Sequence, residues 1–209
     1  YLYYIGWSLR KDVPYHNSLG LAISKDNGIT WKKYSDGPIF TSSALEPGYI
    51  GTVDIKQVNS VCWEMYYLSC RDWVKGIENR MEPIYDIKLA ISYNGKDWFP
   101  SGQTIIPLLE GEGGISAARR IGDEMYFSVR GVENFRNGEP YSYRIKKSKL
   151  VNGKWKRVEG IEINTSEEGW DSGMVCYPYI IKEIDKLIMF YNGNSFGQTG
   201  IGVAEKAIK

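Results

Sequence analysis

Histidine is almost missing from this 209-residue chain: there is one, His16, in what reads as a polar loop, DVPYHNS. A Ser-His-Asp triad or a histidine-built metal site would rest on that single ring, so any acid–base chemistry must fall to carboxylates. Cysteine is scarce as well. Cys62, Cys70 and Cys176 are odd in number, with no CxxC spacing and no companion histidines, which argues against a disulfide framework and against zinc. Cys62 and Cys70 fall along one predicted strand, too far apart to bridge. Reduced, buried thiols of a cytoplasmic protein are the expectation, with no metal and no cofactor. Neither sign of charge dominates, since 26 Lys and Arg face 25 Asp and Glu. No basic patch invites nucleic acid and no acidic tail is present. No run approaches the roughly 20 apolar residues of a membrane span, and no signal peptide is visible, although the chain does not begin with Met. A long stretch with helical 3.6-residue periodicity is also absent.

Aromatic residues are plentiful, with 16 Tyr and 7 Trp, and they recur in order. The segment GLAISKDNGITW (20–31) alternates small and apolar residues, then turns through Lys25-Asp26-Asn27-Gly28 to a Trp. Alternation marks a half-buried strand and Asn-Gly a hairpin. The pattern returns as KLAISYNGKDW (88–98), more weakly as KKSKLVNGKW (146–155), and stops short as GIGVAEK (200–206). An aromatic strand precedes each copy: LYYIGW, WEMYYLS, EMYFSVR and KLIMFYN. Tyr4 to Tyr67 is 63 residues, Tyr67 to Phe127 is 60 and Phe127 to Tyr191 is 64. A steady period of that size, with several strands per unit, predicts a β-propeller of four-stranded antiparallel blades. An irregular β-sandwich of the same strands is the alternative.

Innermost strands are expected at 49–58, 114–122 and 174–182, and short outer strands at 32–40, 103–108 and 157–163. One domain, 1–209, is expected, with repeats at about 1–40, 48–108, 112–163 and 170–209. The first repeat lacks its innermost strand and the last its outer one, so the chain reads as part of a larger propeller. Exposed sheet edges would then be covered by another molecule or closed by the chain ends, for instance by the N-terminal strand completing the last sheet. Ser24-x-Asp26-x-Gly28-x-x-Trp31 matches an Asp box, in which the Asp bonds turn amides and the Trp packs between sheets.

Innermost strands line the axial cavity of a propeller, so carboxylates near their starts carry the chemistry. Asp54, Asp171 and Glu46 are the catalytic candidates, with Asp54 and Asp171 preferred. Trp7, Trp73, Trp170 and Tyr177 could stack on sugar rings. Arg119, Arg130, Asn192 and Asn194 could bond hydroxyls or carboxylates. The segment 71–85 reads as a long polar loop carrying Trp73.

The strings LYYIGW, SKDNGITW, GWDSGMVCYP and MFYNGNSFGQTGIGVA resemble the C-terminal three to four blades of glycosidase-like five-bladed β-propellers. That group holds arabinanases, β-xylosidases, invertases and levansucrases, with a branch associated with bacterial surface-glycan synthesis. The resemblance implies a sugar-shaped axial pocket. In the hydrolases of the group a base or nucleophile, an auxiliary Asp and a Glu acid come from successive blades. Here the second-blade Arg-Asp-Pro is replaced by Gly51-Thr52-Val53-Asp54, and the third-blade acid by Ile115-Ser116-Ala117-Ala118, with Glu112 just upstream.

Two readings follow. One is a glycoside hydrolase with an acid and a base carboxylate flanking the scissile bond. The other is a non-catalytic carbohydrate-binding propeller, a module of a surface-glycan biosynthesis protein. Either takes an oligosaccharide or sugar-containing small molecule. A sialidase-like reading would require Arg119, Arg130 and Tyr177 to converge. An opposed acid pair in the cavity marks the hydrolase; aromatics and arginines without such a pair mark the binder.

Overall fold

The structure, a computed structural model, describes residues 1–136, 138 and 141–208. Four antiparallel sheets follow one another along the chain. The first contains β1 (Leu2–Ser8), β2 (His16–Ile23) and β3 (Lys32–Lys33). The second contains β4 (Ile50–Asn59), β5 (Cys62–Lys75), β6 (Met81–Ser92) and β7 (Phe99–Ile106). The third contains β8 (Glu112–Ile121), β9 (Glu124–Gly131), β10 (Arg144–Val151) and β11 (Lys154–Arg157). The fourth contains β12 (Cys176–Lys182), β13 (Lys186–Asn192) and β14 (Ile201–Ala207). The second and third sheets touch at one parallel bridge, Tyr85↔Gly114.

The pairing registers expose the repeat. Tyr4 pairs with Gly20, Tyr67 with Lys88, Phe127 with Lys146 and Tyr191 with Gly202. These are corresponding positions of the four copies. Each first strand of the last three sheets is interrupted at the same place, between Ile50 and Val53, between Ser116 and Arg119, and between Cys176 and Tyr179. Such bulges bend and re-aim a strand. Two of them force a non-glycine residue into the left-handed region, Ala117 at φ 49° and Tyr177 at φ 57°, a conformation that persists where the surroundings over-determine it.

The turns behave as local chemistry dictates. Ser24 Oγ accepts from the Gly28 amide at 2.8 Å, and Asp26 Oδ1 accepts from Thr30 N at 2.9 Å. In the second copy Asn94 takes the place of the Asp and accepts from Lys96 N and Asp97 N. The third copy makes the tight Asn152-Gly153 turn, with φ of 52° and 74°, the pairing of left-handed residues that hairpin turns favour. Trp98 packs edge-on against Tyr3 of the preceding sheet, and Trp155 against Tyr66 of its own preceding sheet. Trp31 departs from the expected packing between sheets: it is 45% exposed, because among the described residues no sheet precedes its own.

Three other expectations change. The segment 71–85 is not a loop. β5 and β6 run on as a hairpin through Asp72↔Ile84, Trp73↔Pro83 and Lys75↔Met81, turning at Ile77–Asn79, because Trp73 finds Tyr15 and Tyr49 to pack on. His16 begins β2 rather than sitting in a loop, paired with Ser8. The N-terminal strand does not complete the last sheet: β1 pairs with β2, and the last sheet is β12–β13–β14. The three cysteines are free, with Cys62 and Cys70 both on β5. No helix among the described residues is long and apolar enough to cross a membrane.

Candidate functional site

β4, β8 and β12 supply walls to two cavities. One lies toward their N-terminal ends, where Gly51, Thr52, Ser116 and Tyr177 reach it, and has a volume of about 610 Å³. The other, of about 680 Å³, is bounded farther along the same strands by Val53–Lys56, Arg119–Ile121 and Tyr179–Ile180, with Tyr1–Tyr3 beside them.

The first cavity is walled by aromatic rings. Trp7 and Tyr15 lie 4.7 Å apart between ring centroids, Tyr15 and Tyr49 5.3 Å. Across from them Tyr143, Tyr177 and Phe196 form a second cluster with centroid spacings of 5.9–6.3 Å. Trp73 packs behind Tyr15 and Tyr49. Burial pushes the hydroxyls of Tyr15, Tyr49, Tyr143 and Tyr177 above the ordinary tyrosine range. They are therefore neutral donors and acceptors at physiological pH, not phenolate nucleophiles.

Polar groups reach this cavity from three directions. Asn17 and Ser116 line it, both almost fully buried, and Asn17 Oδ1 and Ser116 Oγ have no hydrogen-bond partner among the described residues. The extended β5–β6 hairpin brings Arg80, and the segment after β9 brings Arg136. Both contact Glu82: Arg136 through Nε and Nη2 at 3.1 and 3.0 Å, Arg80 through Nε at 3.5 Å. Arg130 is buried beside the cavity, donating from Nε to Tyr85 Oη at 3.0 Å, from Nη1 to Gly131 O and from Nη2 to Pro83 O. Its guanidinium lies 3.8 Å from the Phe135 ring centroid. Tyr85 and Tyr143 share a short hydroxyl–hydroxyl bond. No Asp or Glu is among the described residues lining this cavity.

The three candidate acids are placed apart and occupied. Glu46, 1% exposed, accepts from Tyr67 Oη at 2.9 Å, from Ser69 Oγ, and from Lys88 Nζ at 3.2 and 3.1 Å. Asp54 lines the second cavity, where it accepts from Arg120 N at 3.0 Å and meets Arg119 Nη1 at 3.5 Å, tying β4 to β8. Asp171 is buried and accepts from Tyr191 Oη at 3.2 Å. Glu112, the upstream substitute, is clasped by Arg157 at 2.6 and 3.2 Å and bonds Leu109 N.

Of the candidate binding residues, Trp7 and Tyr177 line the first cavity and Trp73 backs it. Arg130 packs against its lining residues Tyr85 and Phe135. Arg119 belongs to the second cavity, stacked over Tyr179, so Arg119, Arg130 and Tyr177 do not meet around one ligand. Trp170 stacks on Tyr191 inside the last sheet, against Gly193 and Gly202, where an added Cβ would meet its ring at 2.4 and 2.6 Å. Asn192 donates to Phe196 O, and Asn194 Oδ1 accepts from Gly173 N and Met174 N. Both asparagines hold loops.

Tyr15, Tyr49, Tyr85, Tyr143, Asn17 and Ser116 were not evident as site residues from sequence. A signal for three of them does exist. Asn17, Tyr85 and Tyr143 each stand three residues before the register position occupied by Gly20, Lys88 and Lys146. The repeat thus delivers one equivalent side chain from each of the first three sheets to the cavity.

No family model matches the chain. The uncharacterised protein Rv1502 of Mycobacterium tuberculosis strain H37Rv is 29% identical over 213 residues, covering 97% of this chain and 66% of that protein. The uncharacterised protein MT1551 of strain CDC 1551 matches to the same extent. The chain therefore spans just under two thirds of the curated relatives it matches. Among solved structures, a glycoside hydrolase superposes with a TM-score of 0.65 at 19% identity, over 91% of this chain and 57% of that one. A GH32 beta-fructofuranosidase from Bombyx mori gives 0.65 at 15% identity, over 98% and 44%. A beta-1,2-mannobiose phosphorylase from Listeria innocua gives 0.61 at 12% identity, over 94% and 50%. At these identities the likeness is one of fold: the chain is all-β with the β-propeller fold of glycoside hydrolases.

Proposed function

We propose that this chain binds a carbohydrate in the first cavity. The observation that carries the reading is an aromatic-walled space of about 610 Å³ lined also by the polar residues Asn17 and Ser116 and by Arg80 and Arg136. Ligand pockets of this size combine apolar walls with a few convergent polar groups. A sugar ring matches that surface, presenting C–H faces to aromatic rings and hydroxyls to hydrogen-bonding side chains. The fold's neighbours support the class, since one was solved as a mannobiose complex. Binding is favoured over cleavage by this chain because Glu46, Asp54 and Asp171 are engaged elsewhere. A bond-breaking centre at this cavity would need carboxylates other than these three.

The test is titration of the chain with a panel of oligosaccharides, read by tryptophan fluorescence, since Trp7 lines the cavity. Saturable binding is expected, weakened about tenfold by Trp7→Ala, a loss of roughly 1.4 kcal/mol. Ser116→Ala separates binding from folding. It removes a buried hydroxyl that bonds nothing among the described residues, so Tm should hold or rise while affinity falls. Loss of stability without loss of affinity would place Ser116 in the scaffold and refute its role.

A further inference from the structure

We infer that the sugar taken by the first cavity carries an anionic group, held at the Arg80–Arg136 side. This deepens the carbohydrate reading and rests on it. Arg80 and Arg136 both line the cavity and share a single carboxylate, Glu82. Arg130 adds a third guanidinium beside the lining rings, and its bonds go to a tyrosine hydroxyl and two backbone carbonyls, all neutral. Among the described residues no acidic side chain lines the cavity. Among the described residues, the two lining guanidiniums thus share one carboxylate, with the Arg130 guanidinium packed against the lining rings Tyr85 and Phe135.

Arg136 is the more enclosed of the two, with 29% of its side chain exposed against 57% for Arg80, so its charge is the less screened. Burial is the largest influence on Tyr15 and pushes its hydroxyl up, while Arg136 and Arg130 pull the other way; Arg136 likewise pulls against burial at Tyr177. Glu82 occupies Nε and Nη2 of Arg136, leaving Nη1 without a hydrogen bond among the described residues. Arg80 has a half-exposed side chain and only a long contact to Glu82. Both guanidiniums therefore keep donors for an incoming anion, and arginine suits carboxylate and phosphate oxygens alike. A uronate and a sugar phosphate share this chemistry.

The experiment is calorimetric titration of the chain with matched saccharides: glucuronate and galacturonate oligomers, hexose phosphates, and the neutral gluco- and galacto-oligomers. One acidic set is expected to bind at least about tenfold tighter than its neutral counterpart. Which set does so distinguishes carboxylate from phosphate. Arg80→Gln should abolish that preference, bringing the ratio of acidic- to neutral-sugar affinity to about one. This variant leaves Glu82 paired with Arg136, so it avoids stranding a buried carboxylate; Arg136→Gln is the stronger but riskier companion. Equal affinity for acidic and neutral sugars would overturn this inference and leave the carbohydrate reading standing. Binding of no saccharide would overturn both. Binding of inorganic phosphate or acetate without any saccharide would mark an anion site and overturn the sugar assignment.

Discussion

Glu46 was conspicuous in the sequence as an acid just ahead of an innermost strand. In the structure it is a structural anchor, because Tyr67, Ser69 and Lys88 surround it and leave no oxygen facing the cavity. Removing one partner of a buried ion pair strands the other, so Glu46→Ala should cost roughly 3–5 kcal/mol. In a chain of this size that is about 10 °C in Tm, readable by thermal denaturation; a change under about 2 °C would show that Lys88 finds other solvation. Asp86 behaves oppositely. Burial is the main influence on it and raises its pKa, ahead of the lowering effects of Arg71 and Lys88. The folded state then holds the Asp86 proton more tightly than the unfolded chain does. Ionised Asp86 subtracts stability above its raised pKa, and that loss is recovered as pH falls through it. Asp86→Asn should therefore raise Tm at neutral pH, with the gain shrinking toward acid. A lower Tm at neutral pH would mean that Arg71 and Lys88 outweigh burial. Sequence could place Glu46 and Asp54 near strand starts, but not the partners that decide their roles. Glu46 and Lys88 are 42 residues apart and Asp54 and Arg120 66 apart, so the decisive bonds are tertiary.

Strands and turns were the legible part. Alternation and Asn-Gly turns locate β2, β6, β10 and β14 because those signals act within a few residues. The extension of β5 and β6 was not legible. Arg71, Asp72 and Pro83 read as loop, yet Trp73 docking on Tyr15 and Tyr49 holds both strands in register past them. That extension carries Arg80 to the cavity. The bulges were equally hidden, since nothing in Ala117 announces a left-handed backbone. A sharper test at this scale is Gly114, where β8 meets β6. An added Cβ would stand 2.4 Å from the Tyr85 ring, and that ring is fixed by Tyr143 and Arg130. Gly114→Ala should destabilise by about 1–3 kcal/mol through overpacking and weaken ligand binding by displacing Tyr85. A variant of unchanged Tm and affinity would show that the ring yields freely.

Across the whole molecule no sheet owns a private core. Tyr66 and Leu68 of the second sheet pack in one cluster with Ile115 and Phe127 of the third, while Tyr126 and Ile145 of the third join Ile180, Leu187 and Met189 of the fourth. Leu19 and Phe40 of the first region cluster with Met65 and Tyr67 of the second. Unfolding followed by tryptophan fluorescence and by far-ultraviolet circular dichroism should therefore give coincident single transitions; two separated steps would mean that the sheets melt independently. The repeat period made this architecture readable, because 60-odd residues per copy fix how many strands each unit holds.

Trp7, Tyr15, Tyr49 and Trp73 lie in a chain of ring-to-ring separations between 4.7 and 5.7 Å. At such spacings the electronic transitions of neighbouring rings mix and excitation passes between them. The mouth of the cavity is thus an optical antenna. Light absorbed by Tyr15 or Tyr49 should leave as tryptophan emission, and a molecule sliding between the rings should change the near-ultraviolet dichroism before it changes anything else.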